Sequence, residues 1–168
     1  KEIRPQLNEE SSYLRQILYA NCVAMDTLLA KKDVFNLIKF DEKLPRYQDW
    51  DIAIQIANKY RLSFLPTPTL NVYEQKTSIT YSTSKEKKYM AIVYLYNKYQ
   101  ELIAQYPEAQ SHFLWTMGMY SFCIKKGNIR YIQQSINLDN RDLKKVVVLW
   151  AIKIGLGNLI GKLYAKNH

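Results

Sequence analysis

The sequence predicts an α+β chain in which helix predominates. From Ser84 onward, apolar residues recur at three- and four-residue spacings, the period of amphipathic helices. Two earlier stretches, 18–25 and 61–74, are short, apolar and rich in strand-type residues instead. Of the 168 residues, 48% are hydrophobic, enough to build a core. Disorder needs the opposite balance.

Taken in order, Asn8 with Glu9 and Glu10 suits a helix start, because an Asn cap and early acids satisfy free N–H groups and the dipole. Leu14, Ile17 and Leu18 face inward on that helix. Tyr19 to Met25 reads as a short strand, and Lys31 to Ile38 as a short helix. Phe40 to Tyr47 is a loop, since Pro45 biases Leu44 away from helix. A helix opens near Gln48 or Asp49, with Trp50, Ile54 and Ala57 on its apolar face and Ile52 and Ile56 extending it. Arg61 to Tyr73 reads as extended, punctuated by Pro66 and Pro68, neither of which suits a central strand.

The pattern changes between Tyr81 and Lys85, so residues 1–82 form one domain and 83–168 a helical tail. In the tail, Tyr89, Val93, Tyr96 and Ile103 mark a helix that stops before Pro107. Leu114, Met117, Ser121 and Ile124 mark a second, closed by Gly127. Ile129, Ile132 and Ile136 mark a third. Asp139 or Asn140 caps a fourth, with Leu143, Val147, Trp150 and Ile154 inward and Gly155, Gly157 and Gly161 weakening its end. Residues 108–139 have the look of one helical hairpin, and one hairpin is not a repeat array.

Composition narrows the function classes. Cys22 and Cys123 match no metal or redox spacing and read as small buried hydrophobes in a reducing compartment. The sequence has no secretory signal and no uninterrupted apolar stretch long enough to span a bilayer. His112 has no nucleophile to pair with. The 14 tyrosines fall largely at helical spacing, which packing explains. The chain starts at Lys1 and has no glycine before Gly118. A nucleotide site normally needs glycine where backbone approaches phosphate. Either this protein binds no nucleotide in the usual way, or that part lies upstream. The net charge is +9, and Arg141 to His168 alone carries +5. Such a tail serves nucleic acid, an anionic membrane or solubility. No nucleic-acid motif is present, and the basic residues are not interleaved with exposed aromatics in any readable way, so nucleic acid is not an expected partner.

One segment carries a family resemblance. Phe40-Asp41-Glu42, five residues, then Gln48-Asp49-Trp50-Asp51-Ile52-Ala53-Ile54 resembles a signature of family 2 glycosyltransferases. Asn21 to Asp26, Lys31 to Phe35 and Arg61 to Tyr73 sit where that family has an acceptor-side strand, a short helix and late strands. Ser78-Ile79-Thr80 resembles the loop beyond those strands, and the helical tail is loosely similar to tails of bacterial members. The resemblance implies the C-terminal, acceptor-side part of a GT-A (Rossmann-like) domain followed by a helical subdomain. It implies an inverting transfer from a nucleotide-sugar donor to a glycan or lipid-linked acceptor in cell-surface polysaccharide synthesis. Asp49 would be the general base. Asp41, Glu42, Gln48 and Trp50 would lie on the acceptor side. The family also holds its donor's diphosphate through a divalent ion, Mg or Mn, on an Asp-x-Asp motif in its N-terminal half. Asp49-Trp50-Asp51 has that spelling in another place, so the chain is expected to hold neither the metal nor the donor fully and to be inactive alone. Lys39 stands where many members have Gly, and Gln55 where many have Arg.

A carboxylate suits the role of Asp49. An alcohol is a poor nucleophile, and a positioned base contributes typically about 10²–10⁴-fold. Spacing alone leaves Asp49 open between this and a helix-start residue. Asp51 reads as first-turn dipole compensation, Trp50 as core or sugar platform, and Asp41 and Glu42 as acceptor contacts or a solvated loop. A second function class is a non-catalytic helical interaction module, or a module that binds a membrane surface through Lys144, Lys145, Lys153, Lys162, Lys166 and Trp150. The expected location is the cytoplasm, with the inner face of the cell membrane as a variant. The strands at 18–25 and 61–74 would leave an exposed edge, which predicts self-association.

Overall fold

The structure, a computed structural model, describes residues 13–63, 65, 67, 71, 84–139 and 142–167. Of these, 70% are helical and none lies in a strand or sheet. The expected α+β, GT-A-type architecture is therefore corrected to an all-helical one among the described residues. The strand expected at 18–25 is absent. Leu18 and Tyr19 instead close helix α1 (Tyr13–Tyr19), and the chain then passes to a 3₁₀ turn at Met25–Thr27. The reason is pairing. A strand's N–H and C=O groups need a neighbouring strand, and the described part of the chain offers none, whereas Ile17 and Leu18 bury fully as a helix face. The edge expected to drive self-association is accordingly missing there. Most of 61–74 lies outside the described residues, as does the expected helix start at Asn8.

The chain divides into two compact units, Lys1–Ser82 and Thr83–His168. The first contains α1, the 3₁₀ turn, α2 (Val34–Leu37) and α3 (Gln48–Lys59). Helix α3 is its centre. Trp50, Asp51, Ile52, Ala53, Ile54 and Ile56 are all buried, which wraps apolar surface around most of the helix. One side meets α1. The other packs Ile52 and Ile56 against Ile38, with Met25, Leu28, Val34, Phe35 and Leu62 around them.

The second unit begins with α4 (Lys85–Lys98), capped by Ser84, whose Oγ accepts from the Lys87 N–H. A break at Tyr99 precedes α5 (Gln100–Ile103). Helix α6 (Pro107–Cys123) opens on Pro107, where no intrahelical N–H is needed. It buries Ala109, Phe113, Leu114, Met117, Met119 and Tyr120, and α4, α7 and α9 pack around it. Asn128 caps α7 (Ile129–Leu138), and Asp142 caps α8 (Leu143–Ala151) by accepting from the Lys144 N–H at 3.0 Å. The cap thus falls on Asp142 rather than on Asp139 or Asn140. A kink at Gly155, within Ile152–Leu156, leads into α9 (Gly157–Asn167).

Helix α8 reverses the expected burial. Leu143, Val147, Trp150 and Ile154 are 64–75% exposed. The inward side is Lys145, Val148, Leu149 and Ile152, packed against Met119 and Ile132. Both sides of the helix are apolar, so periodicity alone does not choose between them. Polar anchoring does. Lys145 Nζ donates to Ser111 Oγ at 2.8 Å and lies 3.5 Å from Asp139 Oδ2. Ser111 and Ser135 in turn donate to each other's backbone carbonyls at 2.8 and 2.7 Å, tying α6 to α7. Lys145, Ser111 and Ser135 are buried, and their mutual hydrogen bonds offset the cost of removing them from water.

This packing has two measurable outcomes. A methyl group at Gly161 would meet the Phe122 carbonyl oxygen at 2.6 Å and carbon at 2.7 Å. Backbone cannot yield as a side chain does, so Gly161→Ala should cost about 1–3 kcal/mol, read as a lower denaturation midpoint; a neutral result would refute the close approach. His112 has its pKa pushed from 6.5 down to about 4 by burial first and by the charge of Lys145 second. The folded value lies below the unfolded one, so the unfolded chain binds more protons between them. The stability gained from a neutral His112 is therefore complete above about pH 6.5 and lost as pH falls toward about 4, amounting to roughly 3 kcal/mol. Thermal unfolding from pH 7 to 4 should show a shallower decline in His112→Gln than in the unaltered protein. Identical slopes would refute the assignment.

Candidate functional site

The start of α3 is where polar side chains converge on a cleft. The loop before it is held by its own turn. Asp41 Oδ1 accepts from the Lys43 N–H at 3.1 Å, and its carbonyl accepts from the Leu44 N–H at 3.1 Å. Leu44 is buried and anchors the loop, and Gln48 Nε2 donates back to its carbonyl at 2.9 Å. Tyr47 then adopts φ 67°, in the left-handed region. That conformation is uncommon for a bulky residue and is held only when its surroundings fix it. Here the Tyr47 ring meets Trp50 edge-on at 5.8 Å, the Arg46 guanidinium sits 5.3 Å from the ring centre, and the Tyr47 carbonyl takes the first helical hydrogen bond, from Asp51 N–H.

This start sends the next three side chains in different directions. Trp50 goes into the core, 4% exposed, and its Nε1 donates to the Ile17 carbonyl at 2.5 Å. It thereby satisfies one of the carbonyls that the end of α1 leaves open. Asp51 is fully buried and accepts from Gln55 Nε2 at 2.8 Å. Gln55 also lies 3.2 Å from the Lys39 carbonyl, fastening the helix to the loop. Asp49 turns outward and is half-buried. Its Oδ1 accepts from the Trp50 N–H at 2.8 Å. Its two oxygens each lie 3.4 Å from Asn21 Nδ2, a long contact that holds them weakly.

The cleft beside Asp49 measures about 350 Å³, and its walls are Asn21, Met25, Phe40, Arg46, Tyr47, Gln48 and Asp49. Of the residues singled out by sequence, it brings together Asp49 and Gln48. Asp41 and Glu42 stand on the preceding loop, and Trp50 lies in the core; none of the three is part of the described cleft wall. Arg46 and Tyr47 line the cleft but were not singled out from the sequence; they stand immediately before the motif, where a cation beside a ring is the signal that marks them. Asn21 carries no local signal, because only the fold brings it to a residue 28 positions away.

Chemically, the cleft offers one carboxylate with acceptor capacity, a guanidinium, two amides and two aromatic rings. That set suits a polyhydroxylated ligand. It does not suit a divalent ion. Asp49 faces the cleft while Asp51 turns into the core toward Gln55, so the Asp-x-Asp spelling presents no pair of carboxylates. Among the described residues no three His, Cys, Asp or Glu side chains gather.

Comparison of the chain with protein-family models, with curated proteins and with solved structures finds no match.

Replacing Trp50 by Phe removes the donor to the Ile17 carbonyl and leaves that group unsatisfied. The expected cost is about 1–3 kcal/mol, measurable as a lower urea midpoint. An unchanged midpoint would mean the indole does not cap α1.

Proposed function

We propose that this chain supplies the acceptor side of a glycosyltransferase that moves a sugar, with inversion, from a nucleotide-sugar to a hydroxyl of a glycan or glycolipid. The observation that carries the reading is the place of Asp49: a half-buried carboxylate at the opening of α3, on the wall of a cleft of about 350 Å³. The resemblance of Phe40–Glu42 and Gln48–Ile54 to family 2 glycosyltransferases supports it.

In this reading an acceptor sugar enters between Phe40 and Tyr47, with Arg46, Gln48 and Asn21 as hydrogen-bonding partners for its hydroxyls. One hydroxyl lies against Asp49. Its proton passes to the carboxylate as its oxygen bonds to the anomeric carbon of the donor. The bond from that carbon to the diphosphate breaks, and the nucleoside diphosphate leaves with the electron pair. Trp50 N–H holds Oδ1, which leaves Oδ2 as the oxygen that takes the proton. The chain's contribution is to orient the acceptor and accept its proton, worth typically about 10²–10⁴-fold for a positioned base.

The test is Asp49→Asn in the complete natural protein, assayed for transfer from nucleotide-hexose donors. Amide for carboxylate keeps the shape and removes the base. Turnover should fall at least ~100-fold with the thermal midpoint nearly unchanged. Turnover equal to the unaltered protein would end the assignment.

A further inference from the structure

The outer face of the C-terminal helices has no partner among the described residues. Leu143, Val147, Trp150 and Ile154 recur at helical spacing along α8 and into the turn after it, each 64–75% exposed, and on α9 Leu159 and Leu163 are 52% and 57% exposed. Single exposed apolar residues are ordinary, but four large ones repeating on one helical face mark a contact surface. The opposite side of the same helices is already used, packed on Met119, Phe122 and Ile132. So the stripe is not a core face displaced outward. It is a second apolar face.

Charge identifies what it meets. At about 100° per residue, Lys144 and Lys153 fall roughly a quarter turn to either side of the stripe. Both are exposed, as are Lys162 and Lys166 further along. Lys153 Nζ lies 5.5 Å from the Trp150 ring, at the border between apolar and charged surface. From Leu143 to Asn167 there are five lysines and no acid. An apolar strip with lysines on both borders and an indole among them is the arrangement of a helix lying in a bilayer interface, its rings and alkyl groups in the acyl boundary and its ammonium groups at anionic headgroups.

Two other occupants fit less well. A second copy of the chain would bring lysine borders against lysine borders, with no acid on either helix to receive them, and like charges set against each other suppress association. A spanning arrangement also has length and composition on its side, since the helix Leu143–Lys166 runs 24 residues and is apolar enough to cross a bilayer. Spanning would, however, pull Ile152 and the buried Lys145 away from Ile132, Ser111 and Asp139. Lying flat leaves that core intact.

We infer that the outer face of α8 and α9 binds the surface of an anionic membrane, with Leu143, Val147, Trp150, Ile154, Leu159 and Leu163 entering the lipid and the flanking lysines meeting its headgroups. This goes beyond the proposed transfer activity and does not depend on it.

The experiment is co-sedimentation of the full chain with vesicles of phosphatidylcholine alone and of phosphatidylcholine mixed with phosphatidylglycerol, at low and high salt. Binding should be at least roughly tenfold stronger to the anionic vesicles and should weaken as salt rises. Val147→Glu with Ile154→Glu should abolish it, and Lys144→Glu with Lys153→Glu should reduce it roughly tenfold or more. All four positions are exposed, so circular dichroism should show both variants folded. Asp49→Asn should bind vesicles as the unaltered chain does, which separates this inference from the transfer reading. Failure to sediment with anionic vesicles would overturn the inference, as would equal binding to neutral ones. So would a dimer in light scattering that Ile154→Glu dissolves, which would assign the face to a second copy. Resistance of the bound chain to extraction by high salt and alkaline carbonate would overturn it in favour of spanning.

Discussion

The second unit depends on one constraint, which is that helix α6 has no wholly polar side to turn to water. Phe113, Leu114, Met117, Met119 and Tyr120 distribute large apolar groups around its circumference. Burying a side chain of this size is worth about 1.5–3 kcal/mol, so the remaining helices are drawn around it. Helices α4, α7 and α9 each supply a wall. Close approach at Gly161 and the paired hydroxyls of Ser111 and Ser135 then fix how two of these walls lie. Cys123 adds to this, its Sγ donating to the Gly161 carbonyl at 3.2 Å.

The same logic on a smaller scale makes the cleft. Helix α3 is buried from Trp50 to Ile54 without interruption, so its orientation is set by the core and not by any ligand. The cleft receives only the side chains that the first turn does not commit inward, which are Gln48 and Asp49. The left-handed turn at Tyr47 is the device that permits this. It lets the chain enter the helix abruptly, so that Asp49 is at the mouth while Trp50, its neighbour, already closes α1. Site and core are thus made by adjacent residues, and the rigidity of one is lent to the other.

Much of this was legible in the sequence, for local reasons. The opening of α3 near Gln48, the stop before Pro107 and the helix through Ile129, Ile132 and Ile136 all arise from proline, caps and spacing, which act within a few residues. The features that were not legible depended on partners distant in the chain. Tyr19 to Met25 has strand-type residues, yet no described strand lies beside it. Leu143, Val147, Trp150 and Ile154 have the spacing of an inward face, yet Lys145 reaches Ser111, 34 positions away, and turns them out. Asn21 joins the cleft for the same kind of reason. Polar anchors, more than apolar periodicity, decided these cases, and the sequence does not display which serine a lysine will find.

The kink at Gly155 lets the C-terminal segment serve two surfaces. In an unbroken α-helix Gly161 would stand about five turns beyond Leu143 and share its outward side. The kink breaks that register, so that Gly161 packs against Phe122 of α6 while Leu159 and Leu163 stay exposed. Gly155 makes this possible with φ 95°, a conformation that side chains other than glycine rarely adopt. A Cβ there would strike nothing, so the restriction is one of backbone and not of space. A side chain at position 155 would thus strain the backbone even though the position is open to solvent, whereas at Ile154 beside it another apolar side chain would keep the same face. A chain that lost this glycine would have to choose which of its two apolar faces to keep.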